Sequence, residues 1–283
     1  KLFERAWQLI APADLVANSC LFVMGSEGRG EQLLRTDQDN GLILRDGYAP
    51  PPDLESICTR FSAALAEFGW PECPGKIMLS NPEWRRSTSD FAQAVRRWLL
   101  IPSPETLMAL AIFIDARAVS GDQALLAQVR DALFALVVDN DALLARFAAA
   151  INAFEGGSGW WMRLFGPEDE HRLDLKKAGI FPVVHGVRAL ALAHRISATG
   201  TADRLDALVG QGVLDTSQAT SLVDSLHFLM GVKLEQGLRL LDRGQVPEGS
   251  LVSLERLSSL DRDLLKDALG VVKRFKAMLR QRF

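Results

Sequence analysis

Met24-Gly25-Ser26-Glu27-Gly28-Arg29-Gly30-Glu31, followed by Arg35-Thr36-Asp37-Gln38-Asp39-Asn40, is the stretch on which the reading of this chain turns. It lies between two short apolar runs, residues 20–24 and 40–44, each with the length and composition of a buried strand. Three phosphate-cradling readings compete for a glycine-rich turn in that setting. A dinucleotide fingerprint needs G-x-G-x-x-G, but the glycines fall at 25, 28 and 30, the reverse spacing. A P-loop needs Lys and then Ser or Thr after its second glycine, where this chain has Glu31 and Gln32. The third reading remains: a Gly-Ser turn whose amides and hydroxyl meet triphosphate oxygens, with two carboxylates at i and i+2 on the next strand.

Strand side chains alternate between faces, so Asp37 and Asp39 point the same way. Two carboxylates aimed at one point repel unless a cation sits between them. Mg²⁺, which takes oxygen ligands and the phosphates of a nucleotide, is the natural guest. The D-x-D pattern alone carries little, since Asp139-Asn140-Asp141 and Asp261-Arg262-Asp263 match it too. Asp115 adds to the case because a carboxylate inside the apolar run 111–119, read as a third strand, is costly to bury unless paired or metal-bound. It either completes a metal triad or pairs with Arg117, two residues on and on the same face.

The 283 residues carry 32 Lys and Arg against 35 Asp and Glu, a formal net charge of −3, which argues against a surface that coats nucleic acid. With 48% hydrophobic and 24% charged residues the chain is an ordinary globular one, long enough for about two domains. Three cysteines, Cys20, Cys58 and Cys73, form no C-x-x-C pair and suit a reduced, cytoplasmic protein. No apolar window reaches the length of a membrane span, so no membrane partner is expected. The start, Lys1-Leu2-Phe3-Glu4-Arg5, is neither an initiator Met nor a signal peptide, and the expectation is a piece of a longer chain.

Residues 1–121 mix strand-like runs with Gly/Pro-rich joints and helices near 54–68 and 88–99. Residues 122–283 show helical spacing almost throughout, with helices near 123–137, 140–154, 181–197, 203–209, 222–241 and 254–279. The expected architecture is therefore an α/β domain over 1–121 followed by a helical bundle over 122–283.

The hG[GS] turn, the D-x-D strand and a third carboxylate on a neighbouring strand resemble the DNA polymerase β-like nucleotidyltransferases. Within them, Gly25-Ser26-Glu27-Gly28-Arg29-Gly30-Glu31-Gln32 and Thr36-Asp37-Gln38-Asp39-Asn40 are similar to the DUF294 family, related to PII uridylyltransferase and glutamine synthetase adenylyltransferase. Further pieces agree: Cys73-Pro74-Gly75-Lys76-Ile77-Met78, Ser80-Asn81-Pro82-Glu83-Trp84-Arg85, residues 113–119, and Asp174-Leu175-Lys176-Lys177-Ala178-Gly179-Ile180. Gln38 and Asn40 depart from the apolar residues that usually flank the second Asp in the broader superfamily.

The resemblance implies an α+β nucleotidyltransferase domain with a small mixed sheet, then a helical substrate-binding domain. It implies metal-dependent transfer of NMP from an NTP to an acceptor hydroxyl, of a protein or a small molecule, with release of pyrophosphate. Gly25 and Ser26 would hold the β/γ-phosphates, Asp37 and Asp39 would bind Mg²⁺ or Mn²⁺, and Asp115 would complete the metal set and activate or position the acceptor. Arg29, Glu31 and Lys176 join the nucleotide-binding set. The resemblance also implies N-terminal CBS or cyclic-nucleotide-binding-like sensor domains, making the chain the output half of a signalling protein. The competing class is a catalytically inactive nucleotide-sensing or interaction module. A third, nucleic-acid-directed transfer, is disfavoured by the charge balance and the lack of a basic stripe.

Other segments have blander readings. The Lys176-Lys177 pair beside Asp174 reads as a solvated surface before it reads as a phosphate contact, and Arg188 and Arg195 read as partner-helix ion pairs before they read as the lining of an acidic groove. Trp160 and Trp161, after a glycine-rich turn, read as tucked aromatics before they read as a lid. Glu168-Asp169-Glu170-His171 reads as an exposed helix start before it reads as a metal cluster.

Overall fold

A computed structural model describes residues 1–34, 36–138, 140–149, 172–245 and 249–283. It divides into two compact units, 1–138 and 139–283. Trp160, Trp161, the Gly156-Gly157 joint and the 168–171 cluster lie outside the described residues.

The first unit is built on a four-stranded mixed sheet. Its strands are β1 (Ser19–Val23), β2 (Asn40–Leu44), β3 (Arg85–Ser87) and β4 (Arg117–Gly121), in the order β3-β2-β1-β4. β1 runs antiparallel to β2 and β4, whereas β2 and β3 are parallel. Every residue of β1 is buried, as its apolar run requires when both faces of the sheet are covered.

α1 (Leu2–Ile10) and the short α2 (Ala13–Ala17) lead into β1. Alternation sends Leu21 and Val23 to one face, where they meet α1 and α4 (Leu54–Glu67) through Trp7, Ile57, Phe61 and Leu65. Phe22 goes to the other, its ring centroid 5.6 Å from that of Phe91 on α5 (Thr88–Leu100) and 6.0 Å from that of Phe113 on α6 (Pro104–Phe113). The ring fits because its register partner on β2 is Gly41, and a Cβ there would stand 2.3 Å from Phe22 Cζ.

Two expectations change. The apolar run 111–119 is not one strand: it is the end of α6, a turn that holds Ile114 and Asp115, and then β4. Ser103 and Thr106 form a reciprocal capping box with Pro104 in the first turn, so a helix nucleates there and runs to the turn. Asp37 and Asp39 lie just before β2 rather than on it, with only Gln38 bridging to Glu72. Their alternation survives: Gln38 and Asn40 are fully buried, Asp39 is half-buried and Asp37 is exposed.

α7 (Gln123–Val137), which the sequence assigns to the helical bundle, packs on α5 and β1, so the first unit runs to Val138 rather than ending near Gly121. The second unit contains α8 (Asp141–Ala149), a π-helical turn (Lys176–Ile180), α9 (Phe181–Ala193), α10 (Thr201–Gly210), α11 (Thr216–Leu241) and α12 (Ser259–Arg282). A short antiparallel ribbon, β5 (Arg172–Asp174) with β6 (Leu251–Ser253), supplements the helices. Gly186 lets α9 press against Phe275 and Leu279 of α12, and Gly179 lets the π-helical turn press against Leu229 of α11. Among the described residues, no helix is long and apolar enough to cross a membrane.

Gly41→Ala is expected to lower stability by about 1–3 kcal/mol through overpacking against Phe22. Chemical denaturation checks it, and an unchanged midpoint would show that the Phe22 ring does not need the gap.

Candidate functional site

The turn after β1 coils into a single short helix, α3 (Gly25–Arg29). Two of its glycines are required by close approach. Gly25 has φ +58, and a Cβ there would stand 2.6 Å from Asp39 Oδ2. Gly28 lies against the Asp115 carbonyl with no room for a Cβ. The amide of Met24 donates to the Asp39 carbonyl (2.9 Å), which ties the start of the turn to the carboxylate-bearing segment. Arg117 secures the far side, donating to the carbonyls of Gly28 (3.2 Å) and Glu27 (3.0 Å). It therefore caps α3 instead of pairing with Asp115.

Asp115 is completely buried and forms an ion pair with Arg29, Nη1 to Oδ2 at 2.5 Å. The same guanidinium donates through Nε to Glu31 Oε2 at 2.6 Å. Burial works against the Arg29 charge, but the carboxylates of Asp115 and Glu31 outweigh it and raise the guanidinium pKa. Of the eight residues expected at the site, the structure thus brings Gly25 to Asp39 and joins Arg29, Glu31 and Asp115 in one buried network. Ser26 is half-buried, and its carbonyl accepts from the amide of Glu31 (2.9 Å).

The three aspartates do not assemble into a metal triad: among the described residues no group of three or more His, Cys, Asp and Glu converges to hold an ion. The donor set fits a metal–nucleotide better than a bare ion. Asp37 and Asp39 share one side of the chain, and Mg²⁺ is commonly held by one or two carboxylates with substrate phosphates filling the rest of its shell. Lys176 lies in the other unit, at the first position of the π-helical turn, where its amide and that of Lys177 donate to Asp174 Oδ1 (2.9 and 3.2 Å). Nearby Lys233 has its pKa lowered, by burial first and by the Lys176 charge second.

Several contributors carry no local signature in the sequence. Gln38 donates to the carbonyls of Ser62 (3.0 Å) and Trp70 (3.1 Å), and Asn40 Oδ1 accepts from the amide of Leu79 (3.0 Å). The polar residues that flank Asp39 are accordingly anchors for the irregular segment 69–82. Gln32 bridges Glu27 Oε2 (2.8 Å) and Thr36 Oγ1 (2.9 Å). Burial raises the Glu27 pKa against the opposing effect of the Gln32 hydrogen bond. Burial, reinforced by the Asp39 charge, pushes the Cys73 thiol up to about 12.

Two family models match the chain: "Putative nucleotidyltransferase DUF294" over residues 1–105 and "Putative nucleotidyltransferase substrate binding domain" over residues 141–283. A search of curated proteins finds no match.

Two predictions follow from the electrostatics. Arg29→Met strands the buried Asp115 charge and is expected to cost about 3–5 kcal/mol, most of it recovered in the Arg29→Met/Asp115→Leu double variant; additive losses in a denaturation cycle would contradict the pairing. Because the folded pKa of Glu27 is raised, the stability it lends is complete below the unfolded carboxylate value and lost as pH rises through the folded one. Glu27→Gln should therefore flatten that loss and melt no lower than the parent at neutral pH, whereas a lower midpoint there would argue against a buried charge.

Proposed function

The chain belongs to the DUF294 family of nucleotidyltransferases, and from that premise we propose that it moves a nucleoside monophosphate from an NTP to an acceptor hydroxyl, releasing pyrophosphate. The observation that carries the reading is the Asp39 carboxylate set against Gly25, with Asp37 on the same side of the chain. A phosphate chain laid along the Gly25-Ser26 turn meets backbone amides and a hydroxyl on one side and this carboxylate pair on the other. Transfer of this kind depends on position and charge more than on covalent help from the protein. Mg²⁺ or Mn²⁺, held by Asp37 and Asp39, would supply neutralisation of the phosphate charge.

Asp115 acts through Arg29: its buried carboxylate fixes the guanidinium, which with Glu31 closes the C-terminal end of the turn. Acceptor recognition falls to the helical unit, whose family description is substrate binding, and Lys176 is its candidate phosphate or acceptor contact. The acceptor class that fits the resemblance is a protein side-chain hydroxyl, as in uridylyltransferase-like or adenylyltransferase-like signalling in the cytoplasm, under control of N-terminal sensor domains.

One observation favours a second reading. With Asp115 committed to Arg29, two carboxylates face the nucleotide instead of three, which suits a module that binds Mg²⁺–NTP and transfers nothing. Pyrophosphate release separates the two.

Ligand that binds only the folded state raises its melting midpoint by mass action. One of the four NTPs is expected to raise it by several degrees with Mg²⁺ and little without, and the effect should vanish in Asp37→Asn/Asp39→Asn. A thermal scan checks this; no shift with any NTP, or an undiminished shift in the double variant, would contradict the proposal.

A further inference from the structure

α12 distributes its charge unevenly. Leu265, Ala268, Val272, Phe275 and Leu279 are buried and turn one face of the helix into the core of the second unit. Residues three and four apart share a helix face. Arg262, Lys266, Lys273, Lys276 and Arg280 keep that spacing, with Leu269 in the one gap, and so line one flank of α12 over about 27 Å. Arg262, Lys266, Lys273 and Arg280 are exposed and Lys276 is half-buried. The acids of the helix, Asp261, Asp263 and Asp267, all precede residue 268, and from there to the end Lys273, Arg274, Lys276, Arg280 and Arg282 meet no acid in the sequence. Asp263 reaches Lys266 at 3.5 Å, but both are well exposed, and a pair of that kind contributes little. The expected lack of a basic stripe therefore holds for the linear sequence and fails on α12, because only the helix brings the spaced cations into line.

The electrostatics of the helix itself do not account for this stripe. The dipole favours Arg280 and Arg282 in the last turn, whereas Arg262 stands near the start, where anions are favoured. Arg262 with Lys266, Lys273 with Lys276, and Lys276 with Arg280 are like-charge neighbours at i, i+3 or i, i+4, and each such pair weakens the helix. A row of cations that repel one another is relieved by an anionic partner. A membrane surface needs an apolar face to insert, and that of α12 is spent on the core. Single-stranded nucleic acid stacks on aromatic side chains, and this flank carries none. Three-and-four spacing instead matches acidic side chains repeated on a second helix. Resting on the nucleotidyl-transfer reading with a protein acceptor, we propose that this flank of α12 docks an acidic helical segment of the acceptor, in the region whose family description is substrate binding.

The test is fluorescence anisotropy with three labelled probes, without NTP. They are a helical peptide bearing Glu at the same three-and-four spacing, an oligothymidylate of equal charge, and phosphatidylserine vesicles. The chain is compared with Arg262→Gln/Lys266→Gln/Lys273→Gln and with a control of equal charge change on exposed residues of the first unit, Arg60→Gln/Arg96→Gln/Arg97→Gln. The parent should bind the peptide more tightly than the other two probes. The α12 variant should lose about tenfold, as three exposed ion pairs imply, and the control less than about twofold. Glutamine is a good helix former, and the change removes a like-charge pair, so the α12 variant should melt no lower than the parent. No binding of the peptide by the parent, an undiminished affinity in the α12 variant, an equal loss in the control, or tighter binding of the oligonucleotide or the vesicles would each overturn the proposal. Because no NTP is present, failure here leaves nucleotidyl transfer to its own thermal scan, and failure of that scan leaves the peptide result legible.

Discussion

Two backbone approaches too close for any side chain hold the Gly25–Gly30 turn in place, at Gly25 against the Asp39 carboxylate and at Gly28 against the Asp115 carbonyl. Everything else at the site is arranged around them. β1 delivers the turn, β2 begins just after Asp39, and the turn after α6 delivers Asp115, so the three segments meet only because the sheet order places β1 between β2 and β4. The covered faces of β1 make that placement rigid: Phe22 is locked among aromatic rings on one side, and Leu21 and Val23 are locked against α1 and α4 on the other.

Charge is distributed unevenly across this frame. The buried side holds Arg29 between Asp115 and Glu31, an ion network taken out of water that is stable because its members satisfy one another. The open side holds Asp37 and Asp39, with Glu27 close enough for the Asp39 charge to add to its raised pKa. Negative charge gathered on one side of a glycine turn suits a cation with its phosphates, and the buried arginine keeps the opposite side of the turn from moving. The polar neighbours of Asp39, Gln38 and Asn40, fasten the irregular segment 69–82 beside it.

Much of this was legible in the sequence. The short apolar runs before Gly25 and after Asp39 marked β1 and β2, the spacing of leucines marked the helices of the second unit, and the alternation of Asp37 and Asp39 appears in the structure even though both precede the strand. The run 111–119 misled because uniform apolarity carries no period that distinguishes strand from buried helix. The Ser103-Pro104 start was the signal that could have resolved it. The Arg29–Asp115 pair had no such signal. It joins residues 86 apart in sequence, and the local candidate, Arg117, was nearer in the chain but is spent on the carbonyls of α3. Gln38 and Asn40 looked like departures from an apolar pattern, and only their partners in the 62–79 region give them a purpose.

In the proposed function Asp37 and Asp39 hold the metal–nucleotide, while Asp115 pairs with Arg29. Electron paramagnetic resonance of Mn²⁺ titrated into the chain with the selected NTP tests it most directly, comparing the parent with Asp39→Asn and Asp115→Asn. Bound Mn²⁺ is expected in the parent, lost in Asp39→Asn, and retained in whatever fraction of Asp115→Asn is folded. Retention in Asp39→Asn, or complete loss in folded Asp115→Asn, would contradict it.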